Sequence, residues 1–207
     1  MSEYTTVEGV ATAEYTEKNS RFIATVFNCE SEDQASELIS AQKSKYWDAR
    51  HNVYAYVLSS GTARFSDDGE PHGTAGKPIL DVITGSGVTN VLITVTRYFG
   101  GVLLGTGGLV RAYSTSARDA LMSAQRVLMC ACTQFDICCD YGNFDRLTRL
   151  ISECGGMIQN TNFTDKVEID FIFKDTDRDA FLAKLCETFA SKLEANEKNK
   201  LFFPFKI

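Results

Sequence analysis

The chain has 207 residues, of which 44% are hydrophobic and 23% charged, and its formal net charge is −6. This composition excludes collagen-like, low-complexity and disordered classes and supplies enough apolar side chains for a core in one or two domains. The longest apolar runs have six residues, whereas a membrane helix needs about 18, and no signal peptide is visible, so we predict a cytoplasmic protein without a membrane span.

The first predicted elements are a strand, a helix and a second strand. The run from Ser20 to Phe27 is apolar and typical of a strand. A helix is predicted from Ser31, because Ser31 and Gln34 form a capping-box pattern and apolar residues then recur at helical spacing. A well-buried strand is predicted from His51 to Leu58.

A glycine-rich window follows, since 11 of the 15 glycines lie between Gly61 and Gly108. Within it we predict a loop from Arg64 to Lys77, a short helix near Pro78 to Ile83 and a strand from Asn90 to Thr96. A longer helix is predicted from Leu109 to Ala124, after the last glycines. Glycine lets a backbone turn tightly and approach a ligand closely, so we expect the functional site in this window.

The second half of the chain has a simpler pattern. Its apolar spacing predicts the order strand, helix, strand, strand, helix, strand, which is typical of a ferredoxin-like domain. We therefore predict a two-domain α+β protein, with domains over residues 1–128 and 129–207. The predicted elements are a strand over Thr133–Asp140, a helix around Phe144–Cys154, strands over Met157–Thr164 and Val167–Lys174, a helix around Thr176–Phe189 and a strand over Leu201–Ile207.

Cysteine and histidine do not form a metal-binding pattern in this sequence. There are seven cysteines, no C-x-x-C pair and two histidines, His51 and His72, which lie far from the cysteine cluster. Zinc sites need closely spaced ligand pairs. We predict no metal and no cofactor, and interpret the cysteines as small buried hydrophobic residues in a reducing compartment.

The first candidate site is an acidic loop, which we define as residues 66–78 (SDDGEPHGTAGKP). Three acids in the loop could hold a hard cation such as Mg²⁺, although the spacing is not that of an EF-hand. The alternative is a structural turn whose acids satisfy backbone groups. Gly73 to Lys77 resembles part of a phosphate loop, but Pro78 stands where a metal-binding hydroxyl is needed, so a Walker-type ATPase is rejected.

The second candidate site runs from Arg97 to Arg111, where a strand leads into five glycines and then a helix. Exposed amides at a helix start, with arginines close by, are typical of an anion site. On the helix, Arg111, Ser114, Thr115 and Arg118 share one face, opposite the apolar side. The alternative is that the glycines only allow close packing and that both arginines pair with acids. No G-x-G-x-x-G and no nucleophile with a base is present, so we do not predict an enzyme.

These two motifs, FSDDGEP-x-GTAGKP and TRYFGG-x-x-LGTGGLVRAY, closely resemble the IMPACT family and its bacterial YigZ-like branch. The resemblance covers about the first 125 residues. It implies an N-terminal α/β domain shared with a ribosomal protein and domain four of elongation factor G. The second half looks like the small C-terminal domain of bacterial members, which is similar to the last domain of elongation factor G. For bacterial members it implies a translation-linked or RNA-binding protein without an established reaction.

The resemblance also directs attention to particular residues. In the glycine motif it favours Arg97, Tyr98, Gly100, Gly101, Gly105, Gly107, Gly108 and Arg111. In the acidic loop it favours Asp67, Asp68, Gly69, Glu70, Thr74, Gly76 and Lys77.

We therefore predict a non-enzymatic regulatory protein that binds RNA, the ribosome or a translation factor. Lys77, Arg97, Arg111 and Arg118 would neutralise phosphates, with Tyr98 or Phe99 as a stacking surface. Because the negative charge is shared evenly by both halves of the chain, such a site must be local. Two alternatives remain: a Mg²⁺-dependent enzyme that handles nucleotides or phosphates, and a regulator that binds another protein.

Overall fold

The computed structural model describes residues 3–206. The chain forms two compact units, Tyr4–Leu128 and Met129–Phe205. Its elements in chain order are β1 (Glu3–Glu8), β2 (Val10–Glu17), β3 (Ser20–Asn28), α1 (Glu32–Lys45), β4 (His51–Val57), β5 (Ala63–Ser66), α2 (Gly76–Ser86), β6 (Val91–Tyr98), α3 (Gly105–Ser123), β7 (Gln125–Cys139), α4 (Tyr141–Glu153), β8 (Met157–Phe163), β9 (Val167–Lys174), α5 (Arg178–Phe189) and β10 (Asn196–Lys206).

The first unit is built on a five-stranded sheet with the order β2-β3-β6-β4-β5. The central pairs β2–β3, β3–β6, β6–β4 and β4–β5 are all antiparallel. The side chains of one sheet face pack against α2 and α3 in a core that includes Phe22, Ile79 and Tyr113. A smaller core that includes Ala35 and Leu92 holds α1. Both faces of the sheet are covered, which explains the near-continuous burial of β3 and β6.

In the second unit, helices and strands follow the order β7-α4-β8-β9-α5-β10. Strand β7 pairs with β9 and β10, and β9 pairs with β8. The β7–β9 and β9–β8 pairs are antiparallel. Stacked and edge-on phenylalanines from β7, β9 and α5, among them Phe135, Phe171 and Phe181, form the centre of its core.

Most predicted elements are present, but several differ in extent or were not predicted. Strand β7 begins at Gln125 rather than Thr133, and β10 begins at Asn196 rather than Leu201. Strands β1 and β2 were not predicted, because β2 alternates small and polar residues and buries none of them fully. Strand β5 occupies the start of the predicted loop, where it pairs with β4. Helix α2 extends to Ser86 rather than Ile83, and α3 begins at Gly105 rather than Leu109, so three glycines lie inside its first turn.

Four of the seven cysteines are buried (Cys29, Cys130, Cys132 and Cys139), whereas Cys138 and Cys186 are exposed. Burial raises the pKa of the Cys132 thiol to about 11. The interpretation of the cysteines as buried hydrophobic residues is therefore confirmed for the first group only. No helix within residues 3–206 is long and apolar enough to cross a membrane.

Candidate functional site

The first acid of the acidic loop holds the start of α2. The carboxylate of Asp67 accepts hydrogen bonds from the backbone amides of Gly73 at 2.8 Å, Ala75 at 3.1 Å and Gly76 at 2.8 Å. Ala75, at the N-cap, provides no side-chain cap of its own. Asp67 therefore supplies the cap, and its negative charge also lies favourably at the positive end of the helix dipole.

The second acid ties the loop to two other elements. Asp68 accepts a hydrogen bond from the backbone amide of Asn52 at 2.7 Å and pairs with Lys43 Nζ at 2.8 Å. Its backbone oxygen lies 2.8 Å from His51 Nδ1. Because a carbonyl oxygen only accepts, that imidazole nitrogen is the donor.

The third acid, Glu70, is buried and accepts hydrogen bonds from two other side chains. Its Oε1 accepts from Arg97 Nη1 at 2.7 Å and from the Tyr113 hydroxyl at 2.8 Å. His51 Nε2 lies 3.9 Å from the same oxygen. Burial, together with the Glu70 charge, raises the pKa of Tyr113 well above its usual value. The phenol therefore remains a donor to Glu70.

Arg97 is thus not an exposed phosphate contact. Only 5% of the residue is exposed, and besides its bond to Glu70 it lies 3.4 Å from Ser20 Oγ. Its Nε has no hydrogen-bond partner among the described residues. Of the two interpretations offered for this arginine, the pairing with an acid describes its contacts in the structure.

All three carboxylates of the loop are engaged by groups of this chain. Within residues 3–206 no cluster of three or more histidine, cysteine or acidic side chains is arranged to hold a metal ion. His72, the remaining loop candidate, is 99% exposed and lies 3.8 Å from Asp67. A Mg²⁺ ion at Asp67 would compete with the bonds that cap α2.

The predicted glycines differ in whether the surrounding structure leaves room for a Cβ atom. A Cβ at Gly100 would lie 2.0 Å from the backbone carbon of Asn19, and one at Gly76 would lie 2.7 Å from the oxygen of Ser66. Close backbone contact requires glycine at both positions. By contrast, a Cβ at Gly107 would meet only Arg111 Nη1, at 4.0 Å. Of the other predicted glycines, Gly69 lies in the acidic loop, Gly101 follows β6, and Gly105 and Gly108 lie in the first turn of α3.

Three further predicted residues have partners inside the first unit. The Tyr98 hydroxyl donates to Asp48 at 2.8 Å, which raises its pKa. Lys77 forms an ion pair with Asp81, one turn later in α2. The Thr74 hydroxyl donates to the carbonyl oxygen of Pro71 at 2.6 Å.

The outer side of α3 carries arginines with open surroundings. We define the α3 face as Arg111, Ser114, Thr115 and Arg118; both arginines are exposed and both hydroxyl residues are partly buried. No ion pair of either arginine is found within residues 3–206. A groove of about 530 Å³ lies between α2 and α3, and its polar lining includes Lys77, Asp81, Ser114, Arg118 and Arg126.

Arg126 was missed by the sequence reasoning. It lies in β7, just after α3, and no motif marks it. It lines the groove together with Arg118, which sequence periodicity does not show. With Arg126, the groove has three basic residues and one acid.

A second cleft, of about 370 Å³, brings both glycine-containing motifs together. Gly69, Glu70 and Pro71 of the acidic loop line it, together with Arg97 and the start of α3. Its rim includes exposed apolar side chains, with Leu103 at 83% and Phe99 at 43% exposure. The two motifs therefore line one cleft, although they are separated along the chain.

Two protein-family models match separate parts of the chain. The model of the Impact N-terminal domain matches residues 18–121, and that of a domain of unknown function, DUF1949, matches residues 137–192. The chain is 37% identical to the IMPACT family member YigZ of Escherichia coli, over 70% of this chain and 74% of that protein. It is 34% identical to an IMPACT family member of Haemophilus influenzae, over 93% and 96% respectively. A solved structure described as a hypothetical protein matches with a TM-score of 0.63 and 31% identity, covering 96% of this chain and 98% of that one.

Proposed function

Because the chain belongs to the IMPACT family, in its YigZ-like branch, we propose that it is a non-enzymatic regulator of translation that binds structured RNA. In this proposal the protein acts in the cytoplasm, and the RNA-containing partner that it binds is the ribosome. The observation that carries the RNA-binding part is the row of unpaired arginines along α3 and its groove.

The arginines suit phosphate contacts by their exposure and their spacing. Arg111 and Arg118 are seven residues apart, so about 10 Å of helix separates them. Each can therefore meet a different phosphate of one strand. A guanidinium offers several N–H donors in a fixed plane, which matches phosphate oxygens. Ser114 and Thr115 lie between them and add hydroxyl donors.

The second unit offers a different electrostatic surface. Its exposed sheet side has a shallow groove lined by Asp136, Glu168 and Asp170, with Lys198 pairing with two of these acids. Acids there would repel a phosphate backbone. Binding is therefore confined to the first unit, which accounts for an RNA-binding protein with a net charge of −6.

The finer fold assignments belong to this proposal as well. The order β7-α4-β8-β9-α5-β10, with β9 between β7 and β8, supports a ferredoxin-like second domain over residues 129–207. In the first unit, helices cover both faces of the sheet, with α2 and α3 on one face and α1 on the other. This arrangement supports the assignment of residues 1–128 to an N-terminal domain like domain four of elongation factor G.

Fluorescence anisotropy with a short structured RNA, and co-sedimentation with ribosomes, test the proposal. The variant is the double charge reversal Arg111→Glu and Arg118→Glu, which we expect to weaken binding at least 30-fold. The control, Lys192→Glu with Lys200→Glu, makes the same change in net charge at exposed residues of the second unit. It should bind almost as wild type does.

Arg97 is not used in this test, because reversing its charge would place a second carboxylate beside the buried Glu70. Equal affinity of the α3 variant and wild type would contradict the proposal. A protein partner that remains bound after nuclease treatment, without measurable RNA binding, would favour regulation through another protein instead.

A further inference from the structure

The single tryptophan of the chain, Trp47, lies on the surface of the first unit, in the loop that joins α1 to β4. Its side chain is 82% exposed, more than that of any other aromatic residue within residues 3–206. Tryptophan is on average a highly buried residue, because its large ring system gains free energy when it leaves water. An indole held in solvent is therefore a candidate contact for a binding partner.

The turn that carries Trp47 is fixed on both sides of it. The backbone amide of Ala49 donates to the carbonyl oxygen of Tyr46 at 3.0 Å, which closes the turn. The carboxylate of Asp48 accepts a hydrogen bond from the Tyr98 hydroxyl at 2.8 Å, which ties the turn to the end of β6. Because its neighbours are held, Trp47 is presented in a defined position, and a group positioned in advance loses less conformational entropy on binding.

The charges around Trp47 favour a phosphate-containing partner. Lys45 and Arg50 are exposed, and neither forms an ion pair among the described residues. The ammonium of Lys45 lies 4.9 Å from the centre of the Tyr46 ring, which keeps it beside the turn. The acid of the turn, Asp48, is engaged by a tyrosine hydroxyl. Aromatic side chains between cationic residues are typical of single-stranded nucleic-acid sites, in which bases stack and phosphates pair with the cations.

The turn adjoins the region of the first unit where α3 begins. Arg50 lines the 370 Å³ cleft together with Thr106, in the first turn of that helix. Arg111 follows Thr106 by five residues, or about 7.5 Å of helix. Trp47 and the α3 face therefore belong to neighbouring parts of one domain surface.

We propose that Trp47 stacks on an unpaired base of the bound RNA, with Lys45 and Arg50 pairing with the phosphates beside it. The proposal rests on the proposed RNA-binding function and narrows its substrate to a paired region that adjoins a single-stranded segment. The bases inside a duplex are stacked on each other and cannot offer a face to an indole. Since every base has such a face, the site selects single strands without selecting their sequence.

The fluorescence of Trp47 tests the contact directly, because no other tryptophan contributes to the signal. The probes are a blunt-ended RNA duplex, the same duplex with a single-stranded adenine overhang, and that overhang with its bases removed. The adenine overhang should quench the indole and raise affinity about tenfold over the blunt duplex. The abasic overhang should do neither. Equal affinity for all three RNAs with unchanged fluorescence would overturn the proposal.

Two substitutions of the same residue separate stacking from mere apolar contact. Trp47→Phe keeps an aromatic face and should keep most of the preference for the overhang, whereas Trp47→Leu should lose it. Affinity for the blunt duplex should be the same in both variants. Because the side chain is exposed, the melting temperature should not change. Full overhang preference in Trp47→Leu would overturn the proposal.

The cations beside the indole are tested by the double variant Lys45→Gln and Arg50→Gln. It should weaken overhang binding several-fold and leave the blunt-duplex affinity nearly unchanged. The matched control is Lys192→Gln with Lys200→Gln, which removes the same charge from exposed residues of the second unit. Equal overhang affinity in the two double variants would remove the phosphate contacts from the proposal and overturn it as stated.

The two proposals fail in different ways. If wild type binds the blunt duplex and the overhang alike and Trp47 fluorescence stays constant, the stacking site is overturned and RNA binding stands. If Arg111→Glu with Arg118→Glu keeps its duplex affinity while the overhang still quenches Trp47, the α3 assignment fails and the stacking site stands. Binding of neither RNA by wild type, or quenching of Trp47 by a protein partner alone, would overturn the stacking site.

Discussion

The acidic loop and the α3 face differ in how fully their charges are used. In the acidic loop, each carboxylate has partners within the first unit. Asp67 accepts hydrogen bonds from backbone amides at the start of α2, and Asp68 pairs with a lysine and accepts from a backbone amide. Glu70 pairs with a buried arginine. On the α3 face, Arg111 and Arg118 are exposed and form no ion pair within residues 3–206. The loop is the more conspicuous motif, but its charges hold the fold together.

This difference separates structural from functional charge. A buried ion pair such as Glu70–Arg97 contributes little net free energy when intact, but removing one partner leaves an uncompensated charge. An exposed arginine contributes little to the free energy of folding, and its guanidinium is free to bind a ligand. Substitutions in the loop should therefore change stability, and substitutions on the α3 face should change binding.

The largest effect on stability is expected from Glu70→Gln. The shape is kept, but the buried Arg97 loses its counter-charge, so the free energy of unfolding should fall by about 3–5 kcal/mol. Urea denaturation followed by circular dichroism measures it. Glu30→Gln, at an exposed position, is the control. A fall of less than about 1 kcal/mol would mean that the loop does not hold the fold as described.

The glycines give the next largest contrast. A Cβ at Gly100 would clash with the backbone at Asn19, so Gly100→Ala should cost about 3 kcal/mol of unfolding free energy. Gly107→Ala has room and should gain about 0.5–1 kcal/mol from its higher helix propensity. Thermal denaturation of both variants checks the pair. Destabilisation by Gly107→Ala would indicate a contact that the structure does not show.

Asp67→Ala should have a smaller effect, because it removes one helix cap. We expect a loss of about 2 kcal/mol from the lost bonds to the α2 amides. His72→Ala serves as the control, since that side chain is 99% exposed. Addition of Mg²⁺ during the melt should change neither protein. A stabilisation of wild type by Mg²⁺ that Asp67→Ala loses would show that the loop binds the cation.

The smallest effect on stability is expected on the α3 face. Arg118→Gln removes an exposed guanidinium without an ion pair, so the free energy of unfolding should change by less than about 0.5 kcal/mol. The same variant should weaken RNA binding several-fold. Parallel urea denaturation and RNA titration separate the two quantities. A clear loss of stability would place Arg118 with the structural charges of the loop.

Local patterns in the sequence predicted much of the fold. Ser31 caps α1 as expected, with its side chain accepting from the Gln34 amide at 3.1 Å. Strands β3, β4 and β6 were found from their apolar runs, because burial on both faces leaves a continuous signal. The start of α3 was missed because glycine has a low helix propensity, and three glycines occupy that turn.

The candidate site was less accessible from sequence. Arg111 and Arg118 could be placed on one face, since helical spacing is a local property. The partner of Arg97 could not be predicted, because Glu70 is 27 residues away along the chain. The two residues meet only because β4 pairs with β6 and the acidic loop folds back to that position.

The most direct test of the central claim is the salt dependence of RNA affinity. For wild type, the logarithm of the association constant should fall linearly with the logarithm of the salt concentration. The neutral variant Arg111→Gln with Arg118→Gln should reduce that slope by about 2, one for each lost phosphate contact. Lys192→Gln with Lys200→Gln should keep the wild-type slope. Equal slopes for wild type and the α3 variant would contradict the claim that this face binds phosphates.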